Sequence, residues 1–439
     1  MVLLFVIGYV VIIFEKSLSI NKSRIALLMA VSLWAVQSIG ASLESIVLEF
    51  QHATSEVSQI VFYLLGAMTI VEIIDAHQGF KLVTDYLTSR KPNILLWMIG
   101  FATFFLSSVL DNLTTTIVMV SLLKRLVPLS EYRKLLGAVV VIAANAGGAW
   151  TPIGDVTTTM LWIHGHISTF STIKVFFTFF FLIQMIKLIK GLEYANDIDY
   201  TFIYVPLAFM SLTSEVNGVG LNNPPTPLLD YDQTAPRGKL VFGVGFGALV
   251  FVPIFKSLTG LPPYLGILLG LGVIWILTDV IHYGDLERQH LKLPHALSRI
   301  DSQGAFFFLG ILLSMSTLDA AGILKVIANY LNAHIPNVEL IAVIIGVVSS
   351  ILDNVPLVSA TMGMYNLSTF PQDSEFWQLI SLCAGTGGSM LITGSAAGVA
   401  FMGMEKVDFF WYFRKVTGYT FLGFTAGIWT YLTVNSFSL

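Results

Sequence analysis

Ser107-Ser108-Val109-Leu110-Asp111-Asn112-Leu113-Thr114-Thr115-Thr116 sets an acid, an amide and three consecutive threonines inside an apolar region. A second copy lies downstream at Ser349-Ser350-Ile351-Leu352-Asp353-Asn354-Val355-Pro356, matching the first at six of eight positions with one Val/Ile exchange counted. The chain around them is 55% hydrophobic and 11% charged, with a mean hydropathy of +0.79. Soluble domains carry about 25% charged residues. Runs such as Ile25–Ile39, Val241–Phe255 and Leu261–Thr278 approach, alone or with their neighbours, the length of about 20 residues that a helix needs to cross a bilayer. Long apolar blocks do not fit a membrane β-barrel, whose strands show weak alternation over roughly ten residues. The expectation is an all-α polytopic membrane protein, and the question is why such a chain keeps two Asp-Asn pairs.

Composition narrows the classes further. Met1–Phe14 is apolar without a basic start or a small-residue cleavage site, so it reads as a first helix rather than a signal peptide. A single cysteine, Cys383, excludes an intramolecular disulfide and a multi-cysteine metal site. No P-loop for nucleotide binding is present. The net charge of −4 says little for a chain placed in lipid.

The paired motif belongs to a repeat that runs the length of the chain. Trp34 recurs as Trp275, Leu65-Gly66 as Leu309-Gly310, Asp75 as Asp319, Gly147-Gly148 as Gly387-Gly388 and Gly154 as Gly394, in one order and at an offset near 240 throughout. The units are 1–200 and 241–439, joined by a more polar segment at 201–240. A period this long excludes a solenoid and matches the internal duplication of secondary transporters.

Charge decides the sense of the repeat. Pro92–Leu123 is flanked by Arg90 and Lys91 before it and by Lys124, Arg125, Arg133 and Lys134 after it. By the positive-inside rule both ends are cytoplasmic, which makes the segment a re-entrant helical hairpin with its tip at Leu110–Thr116. Pro336–Phe370 has Glu339, Asp373 and Glu375 at its flanks instead, so the second hairpin enters from the outside. Opposite sides for the two copies predict two inverted-topology repeats. Non-helical backbone survives at membrane depth only where it is buried or lines a cavity. Pro356 suits the first turn of the returning half-helix.

A second break follows each hairpin. In Asn145-Ala146-Gly147-Gly148-Ala149-Trp150-Thr151-Pro152-Ile153-Gly154-Asp155-Val156-Thr157-Thr158-Thr159, the residues Gly147, Gly148, Pro152 and Gly154 oppose a continuous helix. The expectation is a discontinuous helix unwound near Thr151–Gly154. The second copy keeps Gly387, Gly388 and Gly394, but Ser395 stands where the first has Asp155 and no proline recurs, so the halves play unequal roles. An ionised Asp at the bilayer centre costs roughly 2.5–3.5 kcal/mol on insertion scales. Asp111, Asp155 and Asp353 therefore need partners, and a hard cation such as Na⁺ takes oxygen ligands of the kind that Asp111, Asn112, Thr151, Asp155, Thr157 and Thr158 supply. Asn145, beside the break, is a further ligand or supporting residue. A desolvated carboxylate also takes up protons, so H⁺ and Na⁺ compete for one acid and their gradients become coupled.

Each feature also has a structural reading. The Asp-Asn pairs and Asp155 suit helix caps, and the glycines suit close helix packing. Asp75 and Asp319 sit at helix ends before Gly79 and Gly322. No spacing supports pH sensing by His77, His164 or His166.

Ser107–Asn112, Asn145–Thr158, Leu261-Pro262-Pro263-Tyr264 and Gly385–Ala400 together resemble the NhaD-type Na⁺/H⁺ antiporters of the ion transporter superfamily, whose relatives include citrate/dicarboxylate and arsenite carriers. The resemblance covers nearly the whole chain except Gly191–Asp232. It implies a homodimer; the chain looks bacterial, and the expected location is the cytoplasmic (inner) membrane. It also implies scaffold helices at 1–50 and 241–283, transport parts at 51–190 and 301–439, and elevator-like motion. Carried over by motif, the ion and proton residues are Asp111, Asn112, Asn145, Asp155, Thr157, Thr158, Ser349 and Asn354, with Asp353 at the second tip and Na⁺ on Asp111, Asn112 and Asp155. In the dicarboxylate carriers the tips read Ser-Asn-Thr; here Asp111 and Asp353 hold the serine position, and a built-in carboxylate disfavours a bound anion.

The first expectation is thus exchange of cytoplasmic Na⁺ (and Li⁺) for external H⁺, without a cofactor and without nucleic acid. The rival on the same fold is a Na⁺-coupled carrier of a small anion, but no Arg or Lys falls in either motif. A non-transporting scaffold or sensor needs no matched hairpins with buried acids. An enzyme needs a nucleophile-base set or a metal cluster, and neither is evident.

Overall fold

A computed structural model describes residues 1–13, 15, 20–40, 42–84, 92–127, 130–172, 237–284, 291–335 and 337–437. Arg90, Lys91, Gly191–Asp232 and most of the 201–240 segment lie outside the described residues. Every regular element among the described residues is helical. Those of eight residues or more are α1 (Val2–Ile13), α2 (Lys22–Gly40), α3 (Leu43–Ala76), α4 (Pro92–Ser107), α5 (Asn112–Leu126), α6 (Ser130–Gly148) and α7 (Val156–Ile163) in the first half. The second half has α8 (Gly238–Thr259), α9 (Pro263–Ile281), α10 (Ser302–Ala320), α11 (Ile323–His334), α12 (Val338–Val348), α13 (Asn354–Met364), α14 (Glu375–Gly387), α15 (Ala396–Glu405) and α16 (Thr417–Phe437).

Among the described residues four helices are long and apolar enough to cross a membrane: α3, α8, α9 and α10. The run Val241–Phe255 falls in α8, and Leu261–Thr278 falls in α9 from Pro263 onward. Ile25–Ile39 forms α2 but is not among the four. The helices that flank the Asp-Asn motifs are shorter. Residues 112–126 span only about 22 Å at 1.5 Å per residue, less than the bilayer's hydrocarbon core.

The chain divides into two compact units. One contains Met1–Gly79, Thr234–Val338 and Val355–Pro371. Its long helices meet through small residues, the device that brings backbones together where lipid offers no hydrophobic drive. A Cβ on Gly310 of α10 would lie 2.5 Å from the Ala26 carbonyl carbon of α2, and one on Gly66 of α3 would lie 2.2 Å from Ile267 of α9. Polar ties reinforce this packing. Trp34 Nε1 donates to Leu313 O at 3.1 Å, and Lys22 Nζ stands 4.3 Å over the Phe307 ring.

The other unit contains Phe80–Gln233, Glu339–Asn354 and Gln372–Leu439, and it holds both Gly-Gly segments and both Asp-Asn motifs. Helix α6 packs on α4, α5, α14 and α15. Its stretch from Leu135 to Asn145 is almost wholly shut off from solvent. That rigid apolar rod carries Asn145 in its last turn.

Candidate functional site

Helix α4 ends at Ser107 because the chain turns there, and the turn is fastened on both sides. Ser107 Oγ donates to Ala144 O on α6 at 2.6 Å. After the turn Asp111 takes extended backbone, φ −66° and ψ 159°, and caps α5 by accepting from Thr114 N at 2.9 Å and from the Thr114 hydroxyl. Thr114 N is one of the four orphan N–H groups that every helix start presents, which is the reason an Asx cap forms here. Capping occupies both Asp111 oxygens.

The second break follows the same logic. Helix α6 stops at Gly148, and α7 begins at Val156 with Asp155 as its cap, φ −143° and ψ 147°. The unwound segment folds into contact with the hairpin turn, which only glycine permits. A Cβ on Gly147 would stand 2.2 Å from Phe104 O, one on Gly148 2.6 Å from Gly154 O, and one on Gly154 2.6 Å from Ser107 O. The Thr151 hydroxyl donates to Ser108 O, tying break to turn. Pro152 lies buried within this segment.

The downstream copy repeats these contacts. Ser349 Oγ donates to Ala384 O at 2.9 Å, as Ser107 does to Ala144 O. Cβ atoms on Gly387, Gly388 and Gly394 would meet Gly346 O at 2.1 Å, Gly394 O at 2.9 Å and Ser350 O at 2.6 Å. Ser395, at φ −146° and ψ 156°, caps α15 in the place and conformation that Asp155 has for α7.

The side chains of the two copies converge on Asp155, which is 2% exposed. Its Oδ1 accepts the Thr157 N–H at 3.1 Å, and its Oδ2 accepts from Asn112 Nδ2 at 3.0 Å and Asn354 Nδ2 at 3.3 Å. Asn112 Nδ2 donates its other hydrogen to Asn145 Oδ1 at 3.0 Å. Asn145 Nδ2 then donates to Ser389 Oγ and Ser395 Oγ, each at 2.9 Å. Four broken or hairpin segments thus meet in one buried network.

Not every expected residue joins through its side chain. Thr151 and Ser349 spend their hydroxyls on backbone carbonyls of the turns. Thr158 Oγ1 bonds Asp155 O at 2.9 Å and Gly148 O at 3.3 Å, holding the break rather than facing the carboxylate. The buried hydroxyls of Thr115 and Thr116, one turn past Asn112, make no hydrogen bond within the protein. Ser389 and Ser395 join the network without having been expected in it. The available signal was that they are hydroxyls on the second glycine segment, one of them aligned with Asp155. A buried ion pair lies elsewhere in the unit: Arg133 Nε to Glu405 Oε2 at 2.7 Å, with Arg133 also donating to Val127 O at 2.9 Å. Among the described residues no three His, Cys, Asp or Glu side chains gather as a transition-metal site would require.

Comparison with known proteins bears out the resemblance read from the motifs. Residues 9–385 match the family model described as citrate transporter. "Sodium/proton antiporter 2" of Arabidopsis thaliana is 81% identical over 439 residues, the whole of both chains. "Sodium/proton antiporter 1" of the same plant is 71% identical over 437 residues, 99% of this chain and 72% of that one. The Na⁺/H⁺ antiporter NhaD of Alkalimonas amylolytica is 28% identical over 466 aligned residues, 99% of this chain and 90% of its own.

Proposed function

The chain belongs to the citrate-transporter (CitMHS) family of integral multi-pass membrane proteins, and within that family we propose that it exchanges cytoplasmic Na⁺, and Li⁺, for external H⁺ at Asp155. The observation that carries this reading is the carboxylate itself, buried and supported only by neutral donors. A carboxylate offers about four lone-pair positions, and three are taken by N–H groups. The fourth is open to a proton or a cation, but not to both. Neither motif holds a Lys or Arg that would neutralise the acid permanently. The relatives at 81%, 71% and 28% identity are named as Na⁺/H⁺ antiporters, which supports Na⁺/H⁺ exchange.

The amide network supplies the means of switching. Asn112 and Asn354 turn their N–H groups to Asp155. A bound Na⁺ favours their carbonyl oxygens instead, and rotating the Asn112 amide obliges Asn145 to rotate with it. Ser389 and Ser395 can follow, because a hydroxyl accepts in one arrangement and donates in the other. The change at Asp155 is thereby passed to the second glycine segment.

The duplicated contacts support two inverted repeats, each with a re-entrant hairpin and a broken helix, and α5 is shorter than a full span, as a re-entrant arm requires. A homodimer with elevator-type motion of the site-bearing part remains the working arrangement. Identity favours a plant host over the bacterial one that the motifs suggested. A Na⁺-coupled anion carrier is the second reading, because the matching family model is described by citrate. Purified protein in liposomes with an acid interior and a trapped pH dye separates them. Antiport predicts a dye response to external Na⁺ or Li⁺ without any organic substrate. A silent dye with Na⁺-driven uptake of a labelled di- or tricarboxylate overturns the antiport reading.

A further inference from the structure

The unit that does not hold Asp155 buries a histidine pair. His77 follows the last residue of α3 and His282 follows the last residue of α9, and both are 1% exposed. Their Nε2 atoms stand 3.0 Å apart, with ring centroids at 5.2 Å. His77 Nδ1 lies 2.8 Å from Ile73 O. A carbonyl only accepts, so His77 carries its hydrogen on Nδ1, and a neutral His77 presents a bare lone pair at Nε2. The hydrogen between the rings then belongs to His282 Nε2. Both tautomers follow from one carbonyl.

We propose that His77 and His282 form a proton-binding site, distinct from Asp155, which holds one added proton and comes apart when a second is added. The first proton goes to His282 Nδ1. It leaves both hydrogen bonds in place and turns the inter-ring bond into a charge-assisted one, which is stronger. Each ring also sits at a helix C-terminus, where unpaired carbonyls and the negative end of the helix dipole favour a cation. The second proton can go only to His77 Nε2. There it sets N–H against N–H at 3.0 Å and two like charges in a buried space, so the rings must part. Imidazole is the side chain whose unperturbed charge change lies near neutral pH, and the like charge places the second step on the acid side of the first.

Separation has a mechanical consequence, because the pair ties the end of α3 to the end of α9. Gly238 at the start of α8 closes the same corner, its Cα so near His77 O that a Cβ would lie 2.4 Å away. Among the described residues, the charged and titratable groups at this end of the packed elements are Glu72 and Asp75 on α3, Asp279 on α9, Arg237 and Lys239 at the start of α8, and Lys292, His295 and Arg299 on or beside the short helix Leu293–Arg299. Glu72 is engaged by Arg299 at 3.0 Å.

The inference does not rest on antiport and is tested without it. Melting of the purified chain is followed from pH 8 to pH 5 for wild type, His77→Gln and His282→Gln. Glutamine keeps a donor or acceptor at the contact but cannot charge, so both variants retain the tie. The expected result is that wild type loses stability on the acid side and that both variants shift this loss down by about one pH unit or more, the usual effect of removing a buried like charge. In ¹⁵N-histidine spectra of wild type the two rings should titrate as a coupled pair. Identical acid curves for all three proteins, or two rings that titrate independently, overturn the proposal. Should either variant fail to fold, the wild-type spectrum decides alone.

Discussion

Asp155→Asn keeps the shape of the side chain and removes its charge. The hydrogen bonds fix what the amide can do. With its oxygen toward Asn112 and Asn354 it retains two acceptor contacts, but its NH₂ then faces the Thr157 N–H and the cap of α7 is lost. A lost cap costs about 1 kcal/mol, and the two retained bonds weaken by about 1 kcal/mol each when their acceptor is no longer charged. Against this, the buried charge and its desolvation disappear, a gain of several kcal/mol. The variant should therefore fold, with stability within about 2 kcal/mol of wild type. Its loss in cation binding is larger. One unit charge acting at about 4 Å, in surroundings of effective dielectric constant about 20, is worth about 4 kcal/mol, or roughly a thousandfold in affinity. In proteoliposomes with an acid interior and a trapped pH dye, Na⁺ and Li⁺ should evoke no measurable response from the variant. A response within tenfold of wild type would sink the assignment of Asp155. A variant that does not fold would make Asp155 chiefly a cap.

Four further outcomes are expected. Asn145→Ala deletes the partner of Asn112, Ser389 and Ser395 together and should lower stability by about 1–3 kcal/mol while abolishing exchange, read by melting and the dye assay. Gly147→Ala should destabilise by about 1–3 kcal/mol, since Phe104 O is backbone and cannot give way, whereas Gly243→Ala meets nothing within 4 Å and should melt no lower than wild type. Arg133→Leu strands the Glu405 charge and should cost about 3–5 kcal/mol, much of it recovered in Arg133→Leu/Glu405→Leu, as a double-mutant cycle of melting would measure. His166, beyond the end of α7 and edge-on to Trp377 at 4.2 Å, is pushed down to about 4, first by burial and then by His164. A folded value below the unfolded one means that its contribution is present above about pH 6.5 and is lost as pH falls toward 4, so His166→Gln should flatten that part of the acid melting curve.

The division between what could and could not be read from the chain follows from the range of the interactions. Helix breaks are local: Gly147, Gly148, Pro152 and Gly154 oppose a helix, and the helix ends at Gly148 with Pro152 and Gly154 in the unwound segment after it. Polar residues in an apolar chain are conspicuous one at a time, so Asp111, Asn112, Asn145 and Asp155 stood out. Their partners were harder to see. Little in the string distinguishes the role of Thr151, bound to a turn carbonyl, from that of Ser389, bound to Asn145, because both are hydroxyls in a segment framed by glycines. Only the packing of α6 against α14 and α15 brings residues 145, 389 and 395 together. His282 and the Arg133–Glu405 pair were illegible for the same reason, since each has its partner more than 200 residues away. The repeat partly restores the missing range. Because Ser395 occupies the position of Asp155, a reader who superposes the halves is led to ask what a hydroxyl does where an acid belongs. In the folded chain that hydroxyl accepts from Asn145, which makes the second glycine segment a neutral support for the carboxylate that the first one carries.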